Sequence, residues 1–254
     1  MREVEKLLYV TDVGQPSFAE VEGLLALRAL GLKEVILLHT IGADDWETRL
    51  ADQGMRARTR TVDGPLVPAI VAAAHGEGVS LIAANLNRRR RPFRSSLTTE
   101  LVKASNLPVL ILPQNAQAPG SGESDLFAHL IFATDWSPVS EKALRYLLSL
   151  NLETITETLD IVHVIDKKLS VRDIRSLQHK LKESRRLFTD HGIDAESHVY
   201  AGEPSEEIML AAKDYDATCI VMGTTGKSAL KNLWSPSSLC RITEASVVPI
   251  LVIP

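Results

Sequence analysis

Tyr9-Val-Thr-Asp-Val-Gly-Gln-Pro-Ser17 returns later in the chain as Phe132-Ala-Thr-Asp-Trp-Ser-Pro-Val-Ser140. Three further echoes follow in the same order. Glu34-Val-Ile-Leu-Leu-His-Thr-Ile41 matches Leu159-Asp-Ile-Val-His-Val-Ile165, and Val79-Ser-Leu-Ile-Ala-Ala-Asn85 matches Ala217-Thr-Cys-Ile-Val-Met-Gly223. Leu107-Pro-Val-Leu-Ile-Leu-Pro113 matches Val248-Pro-Ile-Leu-Val-Ile-Pro254. Order-preserving echoes identify a duplicated domain. The copies part company at the loop after the fourth apolar run, which is glycine-rich in the second copy (Gly223-Thr-Thr-Gly226) and reads Asn85-Leu-Asn-Arg88 in the first.

Runs at 7–10, 35–39, 81–84 and 109–112, with a polar one near 57–62, read as strands of the first copy. Their counterparts are 130–133, 159–165, 196–200, 218–222 and 249–253. The main runs are continuous Val, Ile and Leu, as strands covered on both faces require. Amphipathic stretches such as 140–150, 204–212 and 237–245 supply helices between them. The second copy is longer between its second and third strands, where 168–191 predicts a helix of several turns; the first has room only for a short helix near 44–55. Alternating strands and helices predict two tandem open doubly wound α/β domains, each a Rossmann-like, mostly parallel five-stranded sheet. The expected division is 1–113, a linker at 114–124 rich in small and turn-forming residues, and 125–254.

Composition narrows the partners. Net charge is −4 over 254 residues, which disfavours nucleic acid. No apolar run approaches the roughly 20 residues of a membrane span, so no membrane partner is expected. The N-terminal residues carry no signal-peptide pattern, and Cys219 and Cys240 form no disulfide framework, so a reducing cytoplasm is expected.

In an open parallel sheet, ligands lie beyond the carboxyl ends of the strands where the strand order reverses. The second copy places Ala133-Thr-Asp135 and Met222-Gly223 at such ends. Gly223 and Gly226 frame a loop whose N–H groups can approach an anion. Ser235 as N-cap and Pro236 in the first turn would open a helix whose free N–H groups, with the Ser237 and Ser238 hydroxyls, suit phosphate. An aspartate at Asp135 can accept hydrogen bonds from sugar hydroxyls. A mononucleotide is one reading of this set. The plainer one is that the glycines end a strand and Asp135 caps the next helix; spacing alone leaves both open.

The second copy resembles the universal stress protein family. That family closes its nucleotide site with Gly-x2-Gly-x9-Gly-[Ser/Thr]; here Gly223, Gly226, nine residues, Pro236 and Ser237 keep the spacing, with proline for the third glycine. Thr134-Asp-Trp-Ser137 and His163-Val164 match the ends of the family's first two strands. The resemblance implies a sheet order of 3-2-1-4-5 and an adenine nucleotide, ATP or AMP, with or without Mg2+. It implies that Asp135 and Gly223 hold the ribose, the Val164 backbone pairs with adenine, and Met222 lines the pocket. Gly226, Ser237 and Ser238 would take phosphates, with Pro236 donating no N–H where the family has glycine. Family domains commonly dimerise through the last strand, so the two copies are expected to pair with each other, the final strands antiparallel.

The first copy keeps Asp12 and His39 but lacks the glycines and carries the basic stretch Arg88-Arg-Arg-Arg-Pro-Phe-Arg94. That stretch reads as a solvated loop, an anion site, or a contact for an acidic partner or nucleic acid, the last disfavoured by its neutral surroundings. Gly226-Lys-Ser228 is not a P-loop, since the motif's first glycine would fall at Val221. His39 and His163 have no nearby metal-ligand partners in the sequence. The expected function is a stress-response or regulatory protein that binds a nucleotide in the second copy, with the first as structural partner. A nucleotide-independent interaction module is the alternative. An ATP-hydrolysing or adenylating enzyme ranks lower, because neither loop after the first strand reads Ser-Gly-Gly-x-Asp-Ser. Association into a homodimer, and a protein partner, are left open.

Overall fold

A computed structural model of the chain describes residues 3–11, 17–39, 45–86, 96–113, 125–165, 170–224 and 236–254. The first copy runs β1 (Lys6–Thr11), α1 (Phe18–Gly23) continuing into a 3-10 helix (Leu24–Leu30), β2 (Glu34–His39), α2 (Trp46–Asp52) and β3 (Arg56–Thr61). It ends with α3 (Leu66–Glu77), β4 (Leu81–Asn85), α4 (Leu97–Ala104) and β5 (Val109–Ile111). The second runs β6 (His129–Ala133), α5 (Pro138–Ser149), β7 (Thr158–Ile165), α6 (Val171–Thr189) and β8 (Ala195–Ala201). It ends with α7 (Pro204–Asp214), β9 (Cys219–Gly223), α8 (Pro236–Ala245) and β10 (Ile250–Ile253). The long helix expected in the second copy is α6, and its short counterpart is α2.

All ten strands form one sheet in the order β3-β2-β1-β4-β5-β10-β9-β6-β7-β8. Each half is therefore the 3-2-1-4-5 arrangement, parallel throughout. Only the junction is antiparallel, with Leu110 opposite Leu251. These two leucines hold the same place in the Pro108-Val-Leu and Pro249-Ile-Leu echoes, so each copy meets its own counterpart, as a local two-fold requires. The expected pairing of the last strands is present, and it covers an edge that would otherwise be a long apolar hazard.

Local chemistry explains where the helices begin. Ser137 caps α5, accepting from the Ser140 N–H at 3.4 Å, with Pro138 in the first turn. Ser170 and Asp173 make a reciprocal capping box on α6. The Glu203 carboxylate takes the Ser205 and Glu206 N–H groups at the head of α7. Helices cover both faces of the sheet and produce two buried layers. One holds Leu7, Tyr9, Leu27, Phe132 and Phe188, and the other Val10, Ile70, Val164, Ile208 and Met222. Phe188, fully buried edge-on against Phe132, anchors α6; burying such a ring stabilises by roughly 2–3 kcal/mol. The first half of α6 leaves Val171 and Ile174 exposed.

The outer edges differ. On β3 the run Arg56-Ala-Arg-Thr-Arg-Thr61 is a strand despite its polarity, because β2 pairs it on one side only. Arg58 bonds Glu34 at 2.8 Å and also Glu77, while Arg60 bonds Glu77 at 2.5 Å. Charges on an edge discourage further pairing. No helix among the described residues is long and apolar enough to cross a membrane.

Candidate functional site

The strand order reverses beside β6, whose carboxyl end lies between those of β7 and β9. At that corner Asp135 Oδ1 accepts from the Ser137 N–H at 3.0 Å and from the Ser140 hydroxyl at 2.6 Å. Its second oxygen has no hydrogen bond to a described residue. The helix cap is Ser137, so Asp135 is not the cap of α5 but a carboxylate steadied on one oxygen by the residues that begin the helix.

Gly223 ends β9 at the same corner. A Cβ there would come within 2.6 Å of the Val139 carbonyl oxygen and 2.9 Å of the Ser140 nitrogen, closer than side-chain carbons approach backbone. Only glycine lets the first turn of α5 close onto the strand end. Met222, the preceding residue, is fully buried in the same layer as Val164 and Ala133. The β6–β7 register ends with Ala133 opposite Val162, and Thr134 N–H donates to the Val162 carbonyl at 2.9 Å. Val164 therefore stands beyond the last β6 rung. The structure thus brings Asp135, Val164, Met222 and Gly223 to one end of three adjacent strands. Gly226 and Ser235 lie outside the described residues, as do the side chains of Ser237 and Ser238; the backbone of Ser237 and Ser238 lies in the first turn of α8.

One further residue of the corner escapes sequence reasoning. Trp136 takes a left-handed backbone with φ of 53°, which costs a non-glycine residue of order 1–3 kcal/mol. Its ring is held in return, packed on His163 with centroids 4.5 Å apart, with Nε1–H donating to the Ser184 hydroxyl at 3.1 Å and Lys180 at 5.3 Å. Ser184 and Lys180 belong to α6, so the long helix is tied to the residue after Asp135. His163 Nδ1 donates to the Thr134 carbonyl at 2.9 Å, which agrees with a structural strand histidine.

The matching corner of the first copy is closed differently. Asn85 ends β4 where Gly223 ends β9, and it is buried. Its Nδ2 donates to Glu20 Oε2 at 2.7 Å, and the Tyr9 hydroxyl donates to the same oxygen at 2.9 Å. Burial, and then the Glu20 charge, push the Tyr9 phenol well above its ordinary range. Asn85 Oδ1 is buried without a partner among the described residues. A polar cluster from β1, α1 and β4 thus replaces the glycine contact. Asp12, residues 88–94 and the His39 side chain lie outside the described residues.

A second group unforeseen from sequence lies in the second copy. His198 Nε2 meets Asp160 Oδ1 at 2.8 Å and Glu196 at 4.0 Å, and the Tyr215 hydroxyl stands 3.0 Å from His198 Nδ1. A metal could in principle use the three ligand atoms, which lie within 4.8 Å of one another. Asp160 is four residues before Val164, about 13 Å along the strand, so this group does not serve the corner. Cys219, an apolar-strand cysteine, is fully buried, and desolvation pushes its thiol up to about 12.

Comparison with known proteins agrees with the fold. The model of the universal stress protein family matches residues 127–254. Universal stress protein MJ0577 of Methanocaldococcus jannaschii is 25% identical over 157 residues, 51% of this chain and 96% of that protein. Universal stress protein YxiE of Bacillus subtilis is 27% identical over 148 residues, 50% and 99% respectively. A crystal structure of a universal stress protein from Archaeoglobus fulgidus shares the fold over nearly the whole chain, with a TM-score of 0.72 and 20% identity, covering 98% of this chain and 96% of that one. Relatives of half length match half of the chain, and a relative of similar length matches all of it, as a tandem arrangement requires. The chain belongs to the universal stress protein family.

Proposed function

We propose that the second copy binds an adenine nucleotide, ATP or AMP, at the corner formed by Asp135, Val164, Met222 and Gly223, and that the protein acts by binding and not by catalysis. The observation that carries this is Asp135, a carboxylate at the reversal of strand order with one oxygen engaged by Ser137 and Ser140 and no described residue bonded to the other, beside the close backbone contact of Gly223 with α5. Asp135 and Gly223 would hold the ribose. The Val164 backbone, beyond the end of β6, would meet adenine, and Met222 would form the wall. Gly226, Ser237 and Ser238 would receive the phosphates. Mg2+ would arrive with the phosphates of ATP, since the Asp160–Glu196–His198 group is remote from them. We assign the division of the chain to residues 114–124, with 1–113 as structural partner and 125–254 as binding domain.

Calorimetric titration of the full chain with ATP and with AMP tests the reading. One site per chain is expected. Two equivalent sites would refute the asymmetry, and no binding would leave the tandem as an interaction module.

A further inference from the structure

A local two-fold at the β5–β10 seam predicts two equivalent clefts beside it, on the sheet face that carries α5 and the 3-10 helix. On one side the cleft is filled. The turn Asp125–Phe127, which leads into β6, packs against Leu24–Leu30 with Leu126 and Phe127 both 3% exposed. The Thr218 hydroxyl fixes the turn by donating to the Leu126 carbonyl at 3.3 Å. On the other side the corresponding lead-in, before β1, carries Glu3-Val4 in place of Leu126-Phe127. Val4 is buried, but the Glu3 carboxylate accepts from Lys33 at 3.1 Å and does not plug the space. A cleft of about 820 Å³ results, walled by α5 and by the residues that lead into β4 and β5.

Its lining is two-sided. Leu107, Leu148 and Pro254, partly exposed over the buried Pro108 and Ile253, supply an apolar surface, and Lys142 and Arg145, neighbours on one face of α5, supply positive charge. Glu3 is already matched by Lys33. Among the described residues Arg145 pairs only with Glu141, at 3.8 Å, and Lys142 has no ion pair. Such a volume suits a small organic ligand, and a few charged groups at the rim of an apolar wall fix its orientation. We propose that this seam cleft binds a small anionic amphiphile, its carboxylate or sulfonate on Lys142 and Arg145 and its hydrocarbon body on Leu107, Leu148 and Pro254.

The probe is 8-anilinonaphthalene-1-sulfonate, titrated by fluorescence into the full chain and displaced with decanoate. One saturable site per chain is expected, displaced by decanoate and insensitive to ATP. The double variant Lys142→Glu with Arg145→Glu, exposed on α5, should weaken the dye about tenfold or more while the unfolding midpoint stays near that of the parent. Glu3→Leu, which restores the plug of the other side, should abolish the site without destabilising the fold. Unchanged dye affinity in both variants, or displacement of the dye by ATP, would overturn the proposal.

Discussion

Asn85 and Gly223 end corresponding strands in two copies of one fold, and the corners around them are built on different physics. At Gly223 the strand end and the first turn of α5 touch backbone to backbone, with no room for a Cβ. At Asn85 a side chain stands in that gap and is held by Glu20, which also holds Tyr9. At the first corner one Asp135 oxygen has no hydrogen bond to a described residue, whereas at the second Glu20 gathers both the Tyr9 hydroxyl and the Asn85 amide. Two corners of one fold can thus be packed by different contacts while the sheet beneath them is unchanged.

The seam is the largest lever on this comparison, because both corners depend on it. Leu251→Asp places a carboxylate opposite Leu110 in a fully buried pair and should destabilise by about 4 kcal/mol or more, with loss of soluble protein. Urea unfolding and size-exclusion chromatography measure this; a variant as stable as the parent would show that the halves do not rely on each other.

Exchanging the corners comes next. Gly223→Asn should cost roughly 1–3 kcal/mol through overpacking against Val139 and should eliminate nucleotide binding. Asn85→Gly removes one hydrogen bond to Glu20 but also an unpartnered buried oxygen, so a smaller loss of about 1 kcal/mol is expected, with no second nucleotide site. Gain of a site would mean that Asn85 alone closes the first copy. Asp135→Ala should then weaken nucleotide binding by about 1–3 kcal/mol if the ribose contact is buried, read by calorimetry. Unchanged affinity would move the ligand away from this corner.

The smallest expected effect concerns the first copy's outer edge. The Arg60 hydrogen bond, opposed by partial burial and assisted by the Arg58 and Lys6 charges, holds Glu77 below its ordinary carboxylate range. A depressed folded-state value means the stabilisation is present above the unfolded-state pKa and fades as pH falls through the folded-state one. Glu77→Gln should therefore lower the unfolding midpoint slightly at neutral pH, with the gap to the parent closing in acid. A gap that persists in acid would assign the effect to lost packing.

Much of the fold was legible because fully buried strands write themselves as unbroken Val, Ile and Leu, and the repeat supplied an internal check. Even polar β3 could be placed, since its counterpart in the second copy has the same rank. Asp135, Val164, Met222 and Gly223 converge because strand ends are legible and the order reversal follows from topology. What sequence hid are contacts between residues distant along the chain. Tyr9, Glu20 and Asn85 meet only once β1 and β4 pair and Glu20 of α1 reaches both. Asp160 and His198 meet only through the β7–β8 register. The seven-residue 3-10 helix Leu24–Leu30 is likewise written by packing, its run Leu-Leu-Ala-Leu-Arg-Ala-Leu being as suitable for an α-helix. The left-handed Trp136 carries no local signal, because the contacts that hold its ring come from α6 and from His163 on β7.

The antiparallel meeting of Leu110 with Leu251 has a hereditary consequence. In a dimer of identical chains, every substitution appears on both sides of the axis, so a change that closes one corner closes both. Covalent linkage lifts that restriction: one codon can become asparagine while its counterpart stays glycine. It also makes the pairing independent of protein concentration, since the partner is always in reach. The molecule therefore holds two differently built corners at a fixed one-to-one ratio, which assembly from a single kind of half-length chain cannot guarantee.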